Sequence, residues 1–138
     1  MKKYTVILVL LSLSLALAAC GGGGNAPTTT INVTMTDFQF APNEFTVPAG
    51  QEITVNAANN GAVIHNFVIM KYGANAGDAW DGSDTPNIYW EVEVQPGGSA
   101  QTSFTAPTEP GDYEIVCRTP GHIVSGMVAK LRVVAGDK

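Results

Sequence analysis

Three donor-bearing residues recur at five-residue intervals near the C-terminus: Cys117, His122 and Met127, in the run Cys117-Arg118-Thr119-Pro120-Gly121-His122-Ile123-Val124-Ser125-Gly126-Met127. The pattern C-x4-H-x4-M lets one loop present a thiolate, an imidazole and a thioether. Pro120 and Gly121 favour a tight reversal just before His122, which turns the imidazole back toward the sulfur of Cys117. A fourth donor, His65, stands 52 residues upstream at the start of an apolar stretch. Two imidazoles and one thiolate in a plane, with a weak axial thioether, suit a copper ion that alternates between Cu(I) and Cu(II). Calcium and magnesium take oxygen ligands, and structural zinc favours four strong ligands and has no use for a thioether. Met70 is a rival axial sulfur, but five residues from His65 it falls on the opposite face of a regular strand. Met35 has no link to the ligand loop.

Taken singly, His65 reads as a hydrogen-bonded core histidine, Cys117 as a small buried hydrophobe and Met127 as a core filler. Jointly they read differently. The chain holds two histidines and two cysteines, and all but Cys20 fall into the one ligand pattern. The same scarcity excludes other chemistries. A copper enzyme with a second centre needs further histidines, and a binuclear centre needs two cysteines in the ligand loop. The expectation is therefore an electron carrier and not an enzyme, with an extracytoplasmic copper chaperone or storage protein as the alternative.

The elements that must position these donors begin after an export signal. Met1, Lys2 and Lys3 precede fourteen uncharged residues, Val6 to Ala19, too short for a permanent span of about 20 residues. Residues 1–19 are expected to be a lipoprotein signal peptide, since Leu17-Ala18-Ala19-Cys20 resembles a bacterial lipobox, in which Cys20 is acylated and becomes the first mature residue. Residues 20–30, with Gly21 to Gly24 and Thr28 to Thr30, read as the lipidated cysteine and a flexible tether. Residues 31–138 form the folded domain. Removing Lys2 and Lys3 from seven basic residues leaves five against twelve acidic ones, a net charge of −7. No basic cluster exists to neutralise phosphates, so nucleic acid is excluded as a partner.

Only 14% of the chain is charged while 45% is hydrophobic, against roughly a quarter charged in ordinary domains, so a compact core is expected. Ile31, Val33 and Met35 alternate with Asn32, Thr34 and Thr36, the period of a half-buried strand. Further strands read at Glu44–Val47, Glu52–Ala57, His65–Met70, Ile88–Val94, Ser99–Thr105, Tyr113–Cys117 and Met127–Val134. Turn signals separate them at Pro48-Ala49-Gly50, Asn59-Asn60-Gly61, Pro96-Gly97-Gly98 and Pro110-Gly111-Asp112. About eight short strands point to an all-β, antiparallel Greek-key sandwich. Residues 71–87 show no periodicity and read as one long surface loop with a short helical turn.

The ligand loop, His65-Asn66, Phe40-Ala41-Pro42, Val47-Pro48-Ala49-Gly50 and Tyr113 after Pro110-Gly111-Asp112 together resemble the cupredoxins, over roughly Thr30 to Val134. Within them, C-x4-H-x4-M with Pro-Gly-His is most similar to the auracyanins, membrane-tethered blue-copper proteins. The resemblance implies a cupredoxin β-sandwich holding one type 1 copper on His65, Cys117, His122 and Met127, with Asn66 fastening the two ligand loops. It departs in one place: relatives commonly carry Ser or Thr straight after the Cys, whereas here Arg118 intervenes and Thr119 follows. Ile64 offers only its carbonyl near the copper. Pro120, Ile123 and Val124 are expected to form an apolar patch around the edge of His122, an electron port. The expected partners are a c-type cytochrome or a membrane oxidoreductase. The protein is expected to act as a monomer, lipid-anchored on the outer face of the bacterial cytoplasmic membrane or in the periplasm.

Overall fold

The computed structural model describes residues 26–136. The signal segment, Cys20 and most of the tether lie outside the described residues. In chain order the strands are β1 (Thr30–Thr36), β2 (Gln39–Ala41), β3 (Glu44–Pro48), β4 (Glu52–Asn59), β5 (His65–Met70), β6 (Ile88–Val94), β7 (Ser99–Thr105), β8 (Gly111–Val116) and β9 (Val128–Val134). They form two sheets, β2-β1-β4-β7 and β3-β9-β8-β5-β6. Among the described residues no helix is long and apolar enough to cross a membrane.

Alternation decides the inner faces. Ile31, Val33 and Met35 of β1 and Ile53, Val55 and Ala57 of β4 are buried. They meet Phe45 and Val47 of β3, Phe67 and Ile69 of β5, Ile115 of β8 and Leu131 and Val133 of β9 in one core. Phe67 sits edge-on to Phe40 and Phe45 at 5.5 and 5.6 Å between centroids, a geometry that suits the aromatic quadrupole. Toward one side, Trp90 stacks on Phe104 at 5.0 Å.

The expected all-antiparallel pairing is corrected at two places. β1 runs parallel to β4, and β3 runs parallel to β9. The chain leaves the first sheet after β2, contributes β3 to the second, and returns as β4 in its original direction. Residue alternation reports which face is buried and not which strand lies alongside, so it is silent on this crossing. β2, with three residues, is too short to show a period and was not anticipated.

Residues 71–87 are also more than a surface loop. All six residues of β5 are buried, because this segment covers the sheet's other face: its Ala74, Ala76 and Trp80, together with Ile88 of β6, pack with Val68, Met70, Val116 and Ile123. The Glu114 carboxylate anchors it, accepting the Asn75 Nδ2–H and the Ala76 N–H at 2.8 Å each. A single 3₁₀ turn, Thr85–Asn87, ends it. Next to Glu114 on β8, the Tyr113 hydroxyl donates to Glu109 O at 2.7 Å, tying the strand to the turn that precedes it.

Candidate metal centre

β8 ends at Val116 and β9 begins at Val128, so Cys117 and Met127 are the two ends of the ligand loop, each one residue beyond a strand. The loop closes on itself: Cys117 N–H donates to Met127 O at 3.2 Å, and Met127 N–H donates to His122 O at 2.9 Å. His122 N–H donates to Thr119 O at 3.1 Å, the reversal expected from Pro120 and Gly121. Gly121 and Gly126 have φ of 83° and 95°, a left-handed backbone that glycine adopts without the Cβ penalty.

This folding brings the four donors together. Cys117 Sγ lies 3.8 Å from His65 Nδ1 and 3.5 Å from His122 Nδ1, and His122 Nδ1 lies 3.3 Å from Met127 Sδ. The histidine and cysteine donor atoms all lie within 4.8 Å of one another. Donors bonded to a first-row metal at about 2.0–2.3 Å in a trigonal plane stand about 3.5–3.7 Å apart, so the observed separations fit one ion at a common centre. His65, Cys117 and Met127 are fully buried and His122 is 6% exposed. Met70 is turned into the outer cluster against Ala76 and Val116, and Met35 is in the main core. The thioether at the site therefore belongs to Met127. Burial, and next the neighbouring His65, lower the pKa of His122, with Asp37 opposing. The imidazole is thereby favoured in the neutral form that a metal requires.

Asn66 N–H points at Cys117 Sγ at 3.4 Å, but its side chain does not bind the ligand loop. Asn66 Nδ2 donates instead to Glu93 on β6 at 3.1 Å. The fastening between loops comes from Thr119, whose hydroxyl donates to Ile64 O at 2.9 Å, so the one-residue displacement by Arg118 moves the bond to a carbonyl. Arg118 has two acidic neighbours on β6. It lies 3.1 Å from Glu91 and 3.8 Å from Glu93, although the closer pair lacks the alignment of a hydrogen bond. Of the expected port residues, Pro120 and Val124 are exposed, whereas Ile123 is turned inward and packs with Val68 and Met70. Spacing alone does not disclose which side chains of this turn point inward.

Three positions near the donors carried no sequence signal. The two-residue turn between β1 and β2 sets Phe38 edge-on to His122, with centroids 5.1 Å apart, and Asp37 Oδ1 3.2 Å from His65 Nε2. Phe38 has φ of 68°, uncommon for a bulky residue. Asn59, read only as part of a turn, is fully buried. It donates to Val63 O and Val94 O at 2.8 Å each and accepts Gly61 N–H at 2.8 Å, so it shapes the loop that delivers His65.

The geometry agrees with the comparisons. The cupredoxin-like domain profile matches residues 5–129. Auracyanin-A of Chloroflexus aurantiacus is 35% identical over 101 residues, 62% of this chain and 62% of that protein. The copper-resistant cuproprotein CopI of Rubrivivax gelatinosus is 31% identical over 106 residues, 73% of this chain and 64% of that protein. The chain thus spans under two thirds of the length of these relatives. Reduced auracyanin of Roseiflexus castenholzii superposes with a TM-score of 0.67 at 34% identity, over 79% of this chain and 99% of that one. A two-sheet sandwich, four converged donors of the type 1 copper set and a profile match over most of its length place this chain in the cupredoxin-like domain family.

Proposed function

We propose that the protein is a membrane-tethered blue-copper electron carrier working outside the cytoplasm. The observation that carries this is the convergence of two imidazoles, one thiolate and one thioether in a buried site at the end of the sandwich. Bound copper supplies a one-electron Cu(II)/Cu(I) couple. The chain supplies the rest. Backbone bonds across the ligand loop, the Thr119 bond to Ile64 and the Asn59 bonds hold the donors in place, so little has to move when the charge changes. Cys117 is the one free cysteine among the described residues and is fully buried, which shields its sulfur from disulfide formation.

The loops around His122 expose Phe38, Val63, Ile64 and Val124. With Pro120 they form the apolar face through which electrons pass to a partner. The net charge of −7 computed for residues 20–138 favours a basic partner, such as a c-type cytochrome, or a membrane oxidoreductase. Acylation of Cys20 would hold the monomer at the membrane surface.

A second reading is favoured by one observation, the similarity to a relative named for copper resistance. A storage or delivery protein must exchange its metal, and the fully buried Cys117 and Met127 oppose that. The test is copper loading of the purified protein with an absorption spectrum and a metal-release time course. One copper per chain, an intense visible sulfur-to-copper band lost in Cys117→Ala, and slow release are expected. Copper bound without that band overturns the electron-carrier reading, and fast release to a chelator favours delivery.

A further inference from the structure

The His65 ring is fully buried. Its Nδ1 faces Cys117, while Nε2 on the far side has no hydrogen-bond partner aligned with it among the described residues. Asp37 Oδ1 is 3.2 Å from that nitrogen, off its axis, and already accepts the Ala62 N–H at 3.1 Å. The carboxylate is thus held beside the ring by a backbone donor from the loop that leads into His65. Gly61 keeps the approach open: a Cβ there would collide with His65 Nε2 and lie 2.6 Å from Asp37 Oδ1. Its φ lies outside the left-handed region, so space, and not backbone conformation, calls for glycine at this position.

We propose that Asp37 is the positioning residue of His65: its carboxylate takes the Nε2–H, holds the ring in the tautomer that leaves the Nδ1 lone pair facing Cys117 and His122, and favours the more highly charged state of the metal. A carboxylate behind a ligating imidazole fixes the ring and raises its basicity. This inference rests on the copper reading above for its redox consequence, but not for the tautomer.

Two variants separate charge from packing. Asp37→Asn keeps the shape and an acceptor oxygen while removing the charge, and Asp37→Ala removes both. In the copper-free full chain, nitrogen-edited NMR should find the His65 proton on Nε2 in the wild type, with a second tautomer present in Asp37→Ala. In the copper-loaded chain, Asp37→Asn should retain the visible band and lose about tenfold in Cu(II) affinity relative to Cu(I). For a one-electron couple that is a rise in potential of about 59 mV. Rescue by Asp37→Glu, which restores the charge, should return part of that shift. An affinity ratio within about twofold of wild type in Asp37→Asn overturns the proposal, as does a wild-type His65 proton on Nδ1. Should the wild type show no visible band at all, the electron-carrier reading falls, while the NMR result still decides the role of Asp37.

Discussion

Replacing Val124 by Asp tests whether electrons leave through the apolar face around His122. Val124 is 70% exposed, so the change should alter folding stability by no more than about 0.5 kcal/mol. The four donors do not include it, and the visible band should persist. On docking, the new carboxylate is desolvated against an apolar partner face. Left unpaired, it costs about 1–3 kcal/mol, which at about 1.4 kcal/mol per decade lowers the bimolecular rate roughly 5- to 150-fold. A second effect opposes this. The extra negative charge attracts a basic cytochrome, by about 1 kcal/mol for a pair about 4 Å apart in water. That attraction is screened beyond about 8 Å at about 0.15 M salt, whereas desolvation is not. The deficit of Val124→Asp relative to wild type should therefore widen as salt is raised, while the wild-type rate itself falls. Stopped-flow mixing with a basic c-type cytochrome across a salt series measures both. Equal rates at every ionic strength would place the port elsewhere. A ratio that closes toward one at high salt would show that the substitution acts through long-range repulsion, contradicting the desolvation argument.

Met127→Gln should keep copper but lower the potential in a redox titration, because a harder axial donor favours Cu(II). Wild-type protein made in a bacterial host should fractionate with membranes and carry lipid at Cys20 by mass spectrometry, and Cys20→Ala should not. Glu114 has its pKa raised, chiefly by burial and further by Asp84, against the opposing Ala76 bond. In the folded state it holds its proton to higher pH than in the unfolded chain. Between those two pKa values the native state binds more protons, so stability falls as pH rises through them. Chemical unfolding of wild type and Glu114→Gln should show the wild type losing stability relative to the variant as pH rises above the ordinary glutamate range of about 4; parallel pH profiles would refute it.

The metal centre was legible in residue types because its chemistry is scarce. With two histidines and two cysteines in 138 residues, a C-x4-H-x4-M loop and His65 leave little freedom in choosing ligands. Donor softness then selects copper without coordinates. Strands such as β1 and β4 were legible for a comparable reason, since a face buried on one side must alternate. Ligation was readable where it depended on residue identity, and strands were readable where they depended on period.

What depends on the meeting of distant segments was not readable. The parallel β1–β4 and β3–β9 pairs arise from a crossing between sheets that leaves no mark on alternation. The buried second face of β5 arises from residues 71–87, which cross it without regular secondary structure and so carry no period. At the site, Asn66 was expected to tie the loops, yet the bond runs from Thr119 to Ile64. Ile123 was expected at the surface and packs inward. Asp37 and Phe38 reach His65 and His122 only because β1 and β2 place their turn over the ligand loop. The identities of the donors are chemical properties of single residues and survive in a linear string. The groups that orient them are neighbours only in three dimensions, so only the tertiary structure decides them.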